Sequence, residues 1–394
     1  MGWPPHTTES REWIPSGRLG SRADRTLDRI EVCIPPTIAR LEYDPTGGTA
    51  RAHDAALIAV ATLEAGSGQH LAPLADFLLR SESVASSKIE HVNADWRAFA
   101  KAVAGGRASD EARSQLAATQ ALSGLVEVGA AGPITAEAIL DAHRSLMAPD
   151  FYASQEAGAW RTVQNWIGGS DFTPLDAVYI PPPADAVPAL MNDLLNFVNR
   201  TDLPIVAQAA IAHAQFLSVH PFTDGNGRIG RALMSAMLRH HGLTRRVTVP
   251  LASVMLADTA RYFDLLTAYR SGDADGFVRY VAVAGSIASS AAEVSAVALG
   301  ELPNRWREVA SPRTNSADAK LIDNLLDTPI LTASTALRIT GTSEPSTYKA
   351  LDRLTAAGVL EVISESRRDR VWAARDVLIE LDALSAAIGR RVRS

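Results

Sequence analysis

Cysteine is almost absent from this chain of 394 residues, and so is any large excess of charge. Cys33 is the only cysteine, which excludes a disulfide framework and a cysteine-based zinc site. The net charge of -6 gives no indication of bulk affinity for nucleic acid or for anionic membranes. The first residues, MGWPPHTTESREW, lack the apolar segment of a secretory signal peptide. We therefore expect a cytoplasmic protein without a membrane partner.

A long apolar segment free of charge is missing as well. The longest apolar run, residues 280–300, contains Glu293 and consists mostly of Ala, Ser and Val. This composition predicts a buried or amphipathic helix rather than a membrane span. Hydrophobic residues nevertheless make up 47% of the chain. Because that is more than a single core can use at this length, we expect two or three domains.

The densest chemistry lies in residues 220–231, which read HPFTDGNGRIGR. Apolar residues at helical spacing precede this segment over residues 207–219. A second helical pattern begins near Ile229, and Gly242 is placed to close it. Pro221 is placed to end the first helix, because its ring clashes with the preceding turn. The segment is therefore predicted to be a loop that joins two helices.

Two side chains of this loop suit acid–base and metal chemistry. The imidazole of His220 can take a proton from an attacking hydroxyl near neutral pH. The carboxylate of Asp224 is a hard oxygen ligand, and Mg²⁺ commonly binds through one or two carboxylates together with substrate phosphates.

The rest of the loop suits a polyphosphate. Gly225 and Gly227 have no Cβ, so their backbone N–H groups can approach a ligand closely. The predicted helix N-terminus that follows favours an anion. Arg228 and Arg231 lie on one helix face, and two guanidinium forks suit a di- or triphosphate. The loop therefore predicts nucleotide chemistry.

Two other interpretations of this loop were weighed. Gly225, Gly227 and Gly230 also spell G-x-G-x-x-G, the dinucleotide-binding pattern. That pattern needs a preceding strand and an acidic residue roughly 20 positions further on. Here a helical pattern precedes it, and no acidic residue follows until Asp258, so this interpretation is excluded. A purely structural loop would explain one histidine, but it explains the whole constellation less well.

The twelve residues resemble the signature H-P-F-x-D-G-N-G-R-x-x-R of the Fic (filamentation induced by cAMP) family, at every signature position. The resemblance implies a helical bundle that transfers AMP from ATP to a protein hydroxyl. It implies His220 as the base and Asp224 as the Mg²⁺ ligand. It also implies a phosphate-binding group formed by Gly225, Asn226, Gly227, Arg228 and Arg231.

A second motif lies in residues 81–90, where Ser86 or Ser87 is expected to cap a helical turn and Glu90 to lie near its end. From the residues alone, Glu90 is a solvated surface carboxylate. Ser86 to Glu90 also resembles the inhibitory pattern [S/T]-x-x-x-E-[G/N] of Fic proteins, with His91 at the last position. The resemblance implies that Glu90 pairs with Arg231 and keeps the γ-phosphate of ATP out of its productive position.

The region before the signature is predicted to carry a β-hairpin. Residues 1–50 read as an extended arm, and helices follow to residue 128. Residues 162–169 alternate around Trp166 and end in Gly168 and Gly169, and residues 178–180 are placed as the returning strand. In Fic proteins such a flap aligns the segment of the target that carries the hydroxyl. An ordinary surface hairpin explains the same residues.

The end of the chain has a different character. Residues 304–317 read as a linker, followed by three helices and two strands around a tip at residues 366–370. This order resembles a winged helix-turn-helix. Residues 312–394 hold 12 Lys and Arg against 11 Asp and Glu, so DNA binding, partner recognition and dimer packing all remain open.

The sequence thus predicts a mostly α protein with a Fic-type bundle and a C-terminal winged helix. We expect an N-terminal inhibitory region at 1–128, a catalytic core at 129–303, a linker at 304–317 and the winged helix at 318–394. The expected reaction is transfer of AMP from ATP, with Mg²⁺, to a Ser, Thr or Tyr hydroxyl of a target protein. Removal of AMP, another phosphate-ester transfer and nucleotide sensing by a DNA-binding regulator are the alternatives, and a homodimer is open.

Overall fold

The computed structural model describes residues 2–14, 19–66, 71–150, 153–364 and 370–393. Helices dominate these ranges, as predicted. The α-helices are α1 (Arg22–Thr26), α2 (Gly47–Gly66), α3 (Leu71–Ile89), α4 (Trp96–Val103), α5 (Asp110–Ala131), α6 (Ala136–Met147), α7 (Val187–Val198), α8 (Ile205–Val219), α9 (Asn226–His240), α10 (Leu251–Ala257), α11 (Thr259–Arg270), α12 (Ala274–Ala310), α13 (Ala317–Asn324), α14 (Ala333–Thr340), α15 (Glu344–Ala356) and α16 (Arg375–Arg393). The strands are β1 (Thr7–Glu12), β2 (Arg29–Ile34), β3 (Ile330–Thr332), β4 (Leu360–Val362) and β5 (Val371–Ala374).

The contacts divide the chain into two compact units, each assembled from three separate stretches. The first unit holds Met1–Ala56, Gln120–Leu243 and Thr259–Val283, and the second holds Leu57–Thr119, Thr244–Asp258 and Ala284–Ser394. These units cut across the domain boundaries expected from the sequence, because the C-terminal segment belongs to the same unit as residues 57–119.

The first unit is built around α8. Every residue of this helix from Val206 to Val219 is buried, which is the pattern of a helix surrounded by others. Helices α7 and α9 pack on α8, and α6 packs on α9. At Gly129 of α5, an added Cβ would lie 2.4 Å from the carbonyl oxygen of Ala236, so only glycine allows α5 this close to α9.

The N-terminal arm of the first unit supports the predicted flap, residues 162–180. Strands β1 and β2 pair antiparallel, with Thr7 opposite Ile34 and Glu12 opposite Arg29. The N–H group of Cys33 in β2 donates to the carbonyl oxygen of Ile180 at 2.8 Å. The ring of Trp13 meets Trp166 edge-on at 5.9 Å between centroids, and the hydroxyl of Thr173 donates to Asp24 at 2.7 Å.

The flap itself contains less strand than predicted. Its pairing is reduced to one antiparallel bridge between Ile167 and Tyr179. Gly168 and Gly169 both have positive φ, 72° and 75°, so the chain leaves the extended conformation directly after the bridge. The predicted hairpin is therefore a compact loop in which a single pair of residues has strand pairing.

The second unit packs α3 against α10, and α16 against both. The buried carboxylate of Glu82 in α3 accepts the N–H group of Ala252 at the start of α10, at 2.7 Å. Three helices, α13 to α15, and the strands β4 and β5 follow in the predicted order, although the sheet has the order β3-β5-β4. Strand β3 and the helix α16 were not predicted. Most of the predicted tip at residues 366–370 lies outside the described residues.

The linker expected at residues 304–317 is shorter than predicted. Helix α12 continues through Pro303 to Ala310, and residues 311–316 alone separate it from α13. Trp306 explains the extension, because its ring is buried and its Nε1 donates to Asp376 of α16 at 2.9 Å. By length and composition α12 is apolar enough to cross a membrane, and half of its most apolar stretch is buried in the protein.

Candidate active site

The predicted loop between α8 and α9 is confirmed, but it spans only residues 220–225, because residues 226–231 already belong to α9. The loop begins at His220, which has left-handed backbone angles (φ 50°, ψ 59°) and donates its N–H group to the carbonyl oxygen of Phe216 at 2.9 Å. Left-handed backbone costs a residue with a side chain about 1–2 kcal/mol. Pro221 follows directly, so the chain cannot continue the helix. Gly242 (φ 75°) closes α9 at the far end.

The imidazole of His220 is arranged to be neutral. Its Nδ1 lies 3.4 Å from the carbonyl oxygen of Leu217, an oxygen that can only accept, so the proton belongs on Nδ1. Burial lowers the pKa of His220 to about 3, and the nearby cations Arg161 and Arg270 act in the same direction. The remaining nitrogen, Nε2, is then a proton acceptor at neutral pH.

Asp224 presents its carboxylate to solvent. Its side chain is 70% exposed, while the neighbouring Arg228 is 8% exposed. One oxygen of Asp224 accepts the N–H group of Gly225 at 2.6 Å, and the other lies 3.4 Å from the guanidinium of Arg228. A single exposed carboxylate beside a helix N-terminus is the kind of ligand that fits a Mg²⁺ ion taking its other ligands from phosphates and water.

Gly225 allows α9 to begin where it does. Gly225 is the N-cap residue with φ 78°, and an added Cβ would lie 2.5 Å from Cε of Met147. The first N–H groups of α9, from Asn226 and Gly227 onward, have no intrahelical partner by the geometry of a helix start. These amides and the positive end of the helix provide a site for an anion.

Asn226 has a structural role that the sequence did not indicate. Its Oδ1 accepts the N–H group of Phe222 at 2.9 Å, and its Nδ2 donates to the carbonyl oxygen of the same residue at 2.7 Å. The side chain therefore braces the loop from within. Phosphate binding by Asn226 stays a prediction. In this structure both polar atoms of its side-chain amide are hydrogen-bonded to the backbone of Phe222.

Arg228 and Arg231 both lie in the first two turns of α9. Arg231 is 1% exposed, so its charge is embedded in the protein. Burial of a guanidinium costs free energy unless polar groups surround it. A buried position is therefore expected for an arginine that binds a charged ligand or a charged side chain. Because Glu90 belongs to the second unit and Arg231 to the first, their pairing stays a prediction.

The predicted inhibitory motif, residues 86–91, lies at the C-terminal end of α3. Ser86 and Ser87 lie buried inside the last turns of the helix, so the prediction that either one caps a turn was wrong. Glu90 follows the last helical residue and is exposed. His91 has φ 60°, and the N–H group of Val92 donates to the carbonyl oxygen of Ser87 at 3.0 Å, which closes the helix in a Schellman motif.

His143 of α6 was missed by the sequence analysis. Its ring stacks on Phe222 at 3.7 Å between centroids. Its Nδ1 accepts the N–H group of Gly158 at 3.0 Å, so Nε2 carries the proton and donates to the backbone oxygen of Asp224 at 3.2 Å. Burial lowers the pKa of His143 to about 4, which keeps this tautomer neutral. His143 therefore fixes the turn that carries Asp224.

Two residues near the start of the flap were also missed. Arg161 is 4% exposed, and its Nε donates to the carbonyl oxygen of His220 at 2.8 Å. Asn165 donates through Nδ2 to the carbonyl oxygen of Phe222 at 2.9 Å. The only signal in the sequence is the position of Arg161 in an otherwise uncharged stretch, Gly158 to Gly169.

A comparison with protein-family models matches residues 133–238 to the Fic/DOC family. The match contains α6 to α8, the flap, the signature loop and most of α9. The site geometry described above therefore lies within the matched region.

Curated relatives match the same part of the chain. Protein adenylyltransferase Fic of Aedes aegypti is 30% identical over 152 residues, which is 38% of this chain and 27% of that protein. Protein adenylyltransferase fic-1 of Caenorhabditis elegans is 33% identical over 149 residues, with the same coverage of 38% and 27%. The chain thus matches about a quarter of the length of these relatives.

A solved structure shows the same fold. The crystal structure of a Fic family protein from Desulfovibrio desulfuricans G20 has a TM-score of 0.56 and 22% sequence identity, and it covers 84% of this chain and 98% of that chain. The similarity therefore extends well beyond the signature loop.

Proposed function

We propose that this chain, which carries a Fic domain, is a protein adenylyltransferase that transfers AMP from ATP to a hydroxyl of a target protein. One observation carries the proposal. A single loop presents a neutral imidazole, an exposed carboxylate and a helix N-terminus flanked by two arginines, His220, Asp224, Arg228 and Arg231. The names of the curated relatives support the same reaction.

In this reaction His220 takes the proton from the target hydroxyl on Nε2. The hydroxyl oxygen attacks the α-phosphorus of ATP, and the bond from this phosphorus to the oxygen that bridges to the β-phosphate breaks. Pyrophosphate leaves with the electron pair, held by Arg228, Arg231 and the amides at the start of α9. The negative charge of bound triphosphate raises the pKa of a nearby imidazole, which brings His220 toward the range that suits a base.

Asp224 is the residue that would hold Mg²⁺. The ion supplies charge stabilisation on the α- and β-phosphates when bound. The contact with the N–H group of Gly225 fixes the orientation of the carboxylate, and His143 fixes the backbone oxygen of the same residue. Both contacts hold the ligand in place before the nucleotide arrives.

The target would dock along the flap. Its apolar side chains Val163, Ile167, Phe172 and Val178 are exposed at 36% or more, although they are of a type that usually packs in a core. An extended segment of a target can pair with the flap backbone and cover these side chains. Such docking brings a Ser, Thr or Tyr hydroxyl to His220 without help from the nucleotide.

Glu90 is proposed as the inhibitor of this activity. A carboxylate that pairs with Arg231 competes with the γ-phosphate for the same guanidinium. Glu90 is exposed at the end of α3, where a change in this helix end can move its carboxylate.

The C-terminal segment is proposed as a recognition module of the winged helix type. Its three helices and antiparallel strands favour this assignment. Its contacts with α3 and α10 within one unit, through α16, give it a route to the helix that carries Glu90. Binding of DNA, of a partner protein or of a second copy of the chain would therefore change the position of α3 through α16.

The test is mass spectrometry and labelling of protein incubated with Mg²⁺ and ATP. ATP labelled on the α-phosphate should label a protein in a lysate, with a mass increase equal to AMP, and ATP labelled on the γ-phosphate should not. EDTA should abolish the signal, because it removes the Mg²⁺ that offsets the negative charge of the phosphates. Label from the γ-phosphate instead would assign the site to phosphoryl transfer and overturn the proposal.

A further inference from the structure

Arg161 joins three segments of the first unit. Its Nε donates to the carbonyl oxygen of His220 at 2.8 Å, and its η nitrogens donate to those of Val163 at 3.0 Å and Pro182 at 2.5 Å. A longer bond of 3.5 Å reaches Val219 at the end of α8. Its own backbone N–H donates to Pro221 at 2.8 Å. One residue thus holds the first two carbonyls of the signature loop and both ends of the flap.

The environment of Arg161 is unusual for a cation. All side-chain hydrogen bonds of Arg161 go to backbone carbonyls, and within the described ranges of the chain no carboxylate pairs with it. Burial lowers the pKa of Arg161 to about 10, so it is still protonated at neutral pH. The carbonyls at the C-terminal end of α8 carry the negative end of the helix dipole, which favours a cation there.

The backbone of His220 needs such a support. A left-handed histidine is strained by about 1–2 kcal/mol relative to its ordinary conformations. Strained backbone persists where the surrounding structure over-determines it. The bond from Arg161 to the carbonyl of His220, and the bond to the next carbonyl, fix the peptide that sets where the imidazole lies.

We propose that Arg161 is the positioning residue for His220, holding the imidazole where it meets the target hydroxyl and tying that position to the flap that docks the target. The part of this inference that concerns catalysis rests on the proposed adenylyl transfer. The part that concerns the conformation of His220 rests on the geometry alone. Because Arg161 also holds Val163 and Pro182, a change in the flap is transmitted to His220 through one side chain.

In the described part of the chain, three charged groups act on His220. Arg161 and Arg270 are cationic and favour the neutral imidazole, and Asp224 opposes them. Arg270 stacks its guanidinium on the ring of Tyr179 at 3.6 Å from the centroid, so it stays beside the site when Arg161 is changed. Loss of the charge at position 161 should therefore move the protonation of His220 toward higher pH, with Arg270 limiting the size of the shift.

The test compares Arg161→Lys and Arg161→Gln with the same changes at Arg200. Arg200 is a matched control in the same unit, because it also donates to two backbone carbonyls, Leu41 at 2.6 Å and Ala39 at 3.2 Å. Lysine at position 161 keeps the positive charge but loses the several N–H donors of the guanidinium, whereas glutamine loses both the charge and the guanidinium. The melting temperature of each variant establishes that it is folded, and Arg161→Lys decides the question if Arg161→Gln does not fold.

Two measurements are made on each variant. In the transfer assay, kcat of Arg161→Lys should fall roughly 100-fold, the effect of a reacting group displaced by about 1 Å, while the KM for ATP changes less than about threefold. The Arg200 variants should keep kcat within about threefold. A kcat for Arg161→Lys within threefold of the parent, or an equal loss in Arg200→Lys, overturns the proposal.

The second measurement does not need activity. The ring signals of His220, identified by their loss in His220→Gly, are titrated by NMR in the protein without nucleotide. In Arg161→Gln they should shift and titrate at higher pH than in the parent, and in Arg200→Gln they should not. An unchanged titration overturns the inference even if AMP is transferred. If none of the proteins transfers AMP and the signals behave as expected, adenylyl transfer fails and the positioning by Arg161 stands.

Discussion

Two helices of this protein end at a left-handed histidine, and the two ends are supported very differently. Helix α8 ends at His220 with φ 50°, and helix α3 is closed by His91 with φ 60°. Arg161 binds the carbonyl of His220, and His220 is half-buried. His91 is exposed, its helix end is closed by the Schellman bonds, and its carbonyl oxygen accepts a bond of 3.3 Å from Nδ2 of the nearby Asn93.

The difference separates strain that serves chemistry from strain that follows from a substitution. At His220 the side chain is the reactive group of the proposed mechanism, so a glycine would relieve the backbone and remove the base. At His91 a glycine or asparagine would satisfy the same backbone, and these are the residues of the family pattern that this position resembles. On the proposed mechanism, the same residue type in the same conformation acts as the base at one helix end and only costs stability at the other.

The largest expected effect separates the two histidines by activity. His220→Gly should lower the rate of AMP transfer by about 1,000-fold, since a positioned general base contributes roughly 10² to 10⁴. Binding of ATP should persist, because the arginines and the amides of α9 are unchanged. The measurements are initial rate of AMP incorporation and nucleotide affinity by calorimetry.

The matched control for this variant is His91→Gly, which makes the same substitution at the other helix end. Its transfer rate should stay within about threefold of the parent, because His91 is not part of the proposed chemistry. A His220→Gly protein that transfers AMP at the parent rate would remove His220 from the role of base. Equal losses in both variants would show that the rate reports stability rather than catalysis.

The second effect tests whether the end of α3 has a function of its own. Glu90→Gly removes the carboxylate proposed to compete with the γ-phosphate, so the rate of transfer should rise at least tenfold, which corresponds to about 1.4 kcal/mol of transition-state stabilisation. Arg231→Ala should not raise the rate, because it removes the guanidinium proposed to bind phosphate together with its proposed pairing to Glu90. The assay is the initial rate of AMP incorporation at saturating Mg²⁺ and ATP.

The double variant, Glu90→Gly with Arg231→Ala, sharpens this result. If Glu90 acts through Arg231, the double variant should behave like Arg231→Ala alone. Additive effects would show that Glu90 acts elsewhere, and equal rates for the parent and Glu90→Gly would make Glu90 an ordinary surface carboxylate.

The local pattern of the sequence was sufficient for the loop and its two helices. The apolar spacing of residues 207–219, the break at Pro221 and the glycine at position 242 are local signals, and each was confirmed within two residues. The order of elements after residue 317 was also predicted, apart from β3 and α16. Helix α16 was missed because nothing in the sequence separates its amphipathic pattern from the strand before it.

The supports of the site were not predictable from spacing. Arg161, His143 and Asn226 act through backbone groups that lie beside them only in the folded chain. A single sequence shows only residue types and their spacing. Neither of these indicates a hydrogen bond from a guanidinium to a carbonyl 59 residues away. The capping role predicted for Ser86 or Ser87 failed for the opposite reason, because a good capping residue is also tolerated inside a helix whose packing is favourable.

The smallest expected effect is on stability, and it tests the cost of the left-handed backbone at His91. His91→Gly should raise the free energy of unfolding by about 0.5–1 kcal/mol, because glycine adopts positive φ without steric conflict while histidine does not. Asparagine, which tolerates the left-handed region better than most residues, should give part of this gain. The measurement is chemical denaturation of the parent and of the variants under identical conditions.

His91→Ala is the control that assigns the gain to the backbone. Alanine removes the imidazole but keeps the Cβ that conflicts with positive φ, so its stability should stay within about 0.5 kcal/mol of the parent. If alanine stabilises the protein as much as glycine, the imidazole itself is unfavourable and the backbone is not strained. If neither variant changes stability, the Schellman bonds from His91 and Val92 already offset the cost, and the two helix ends differ in chemistry alone.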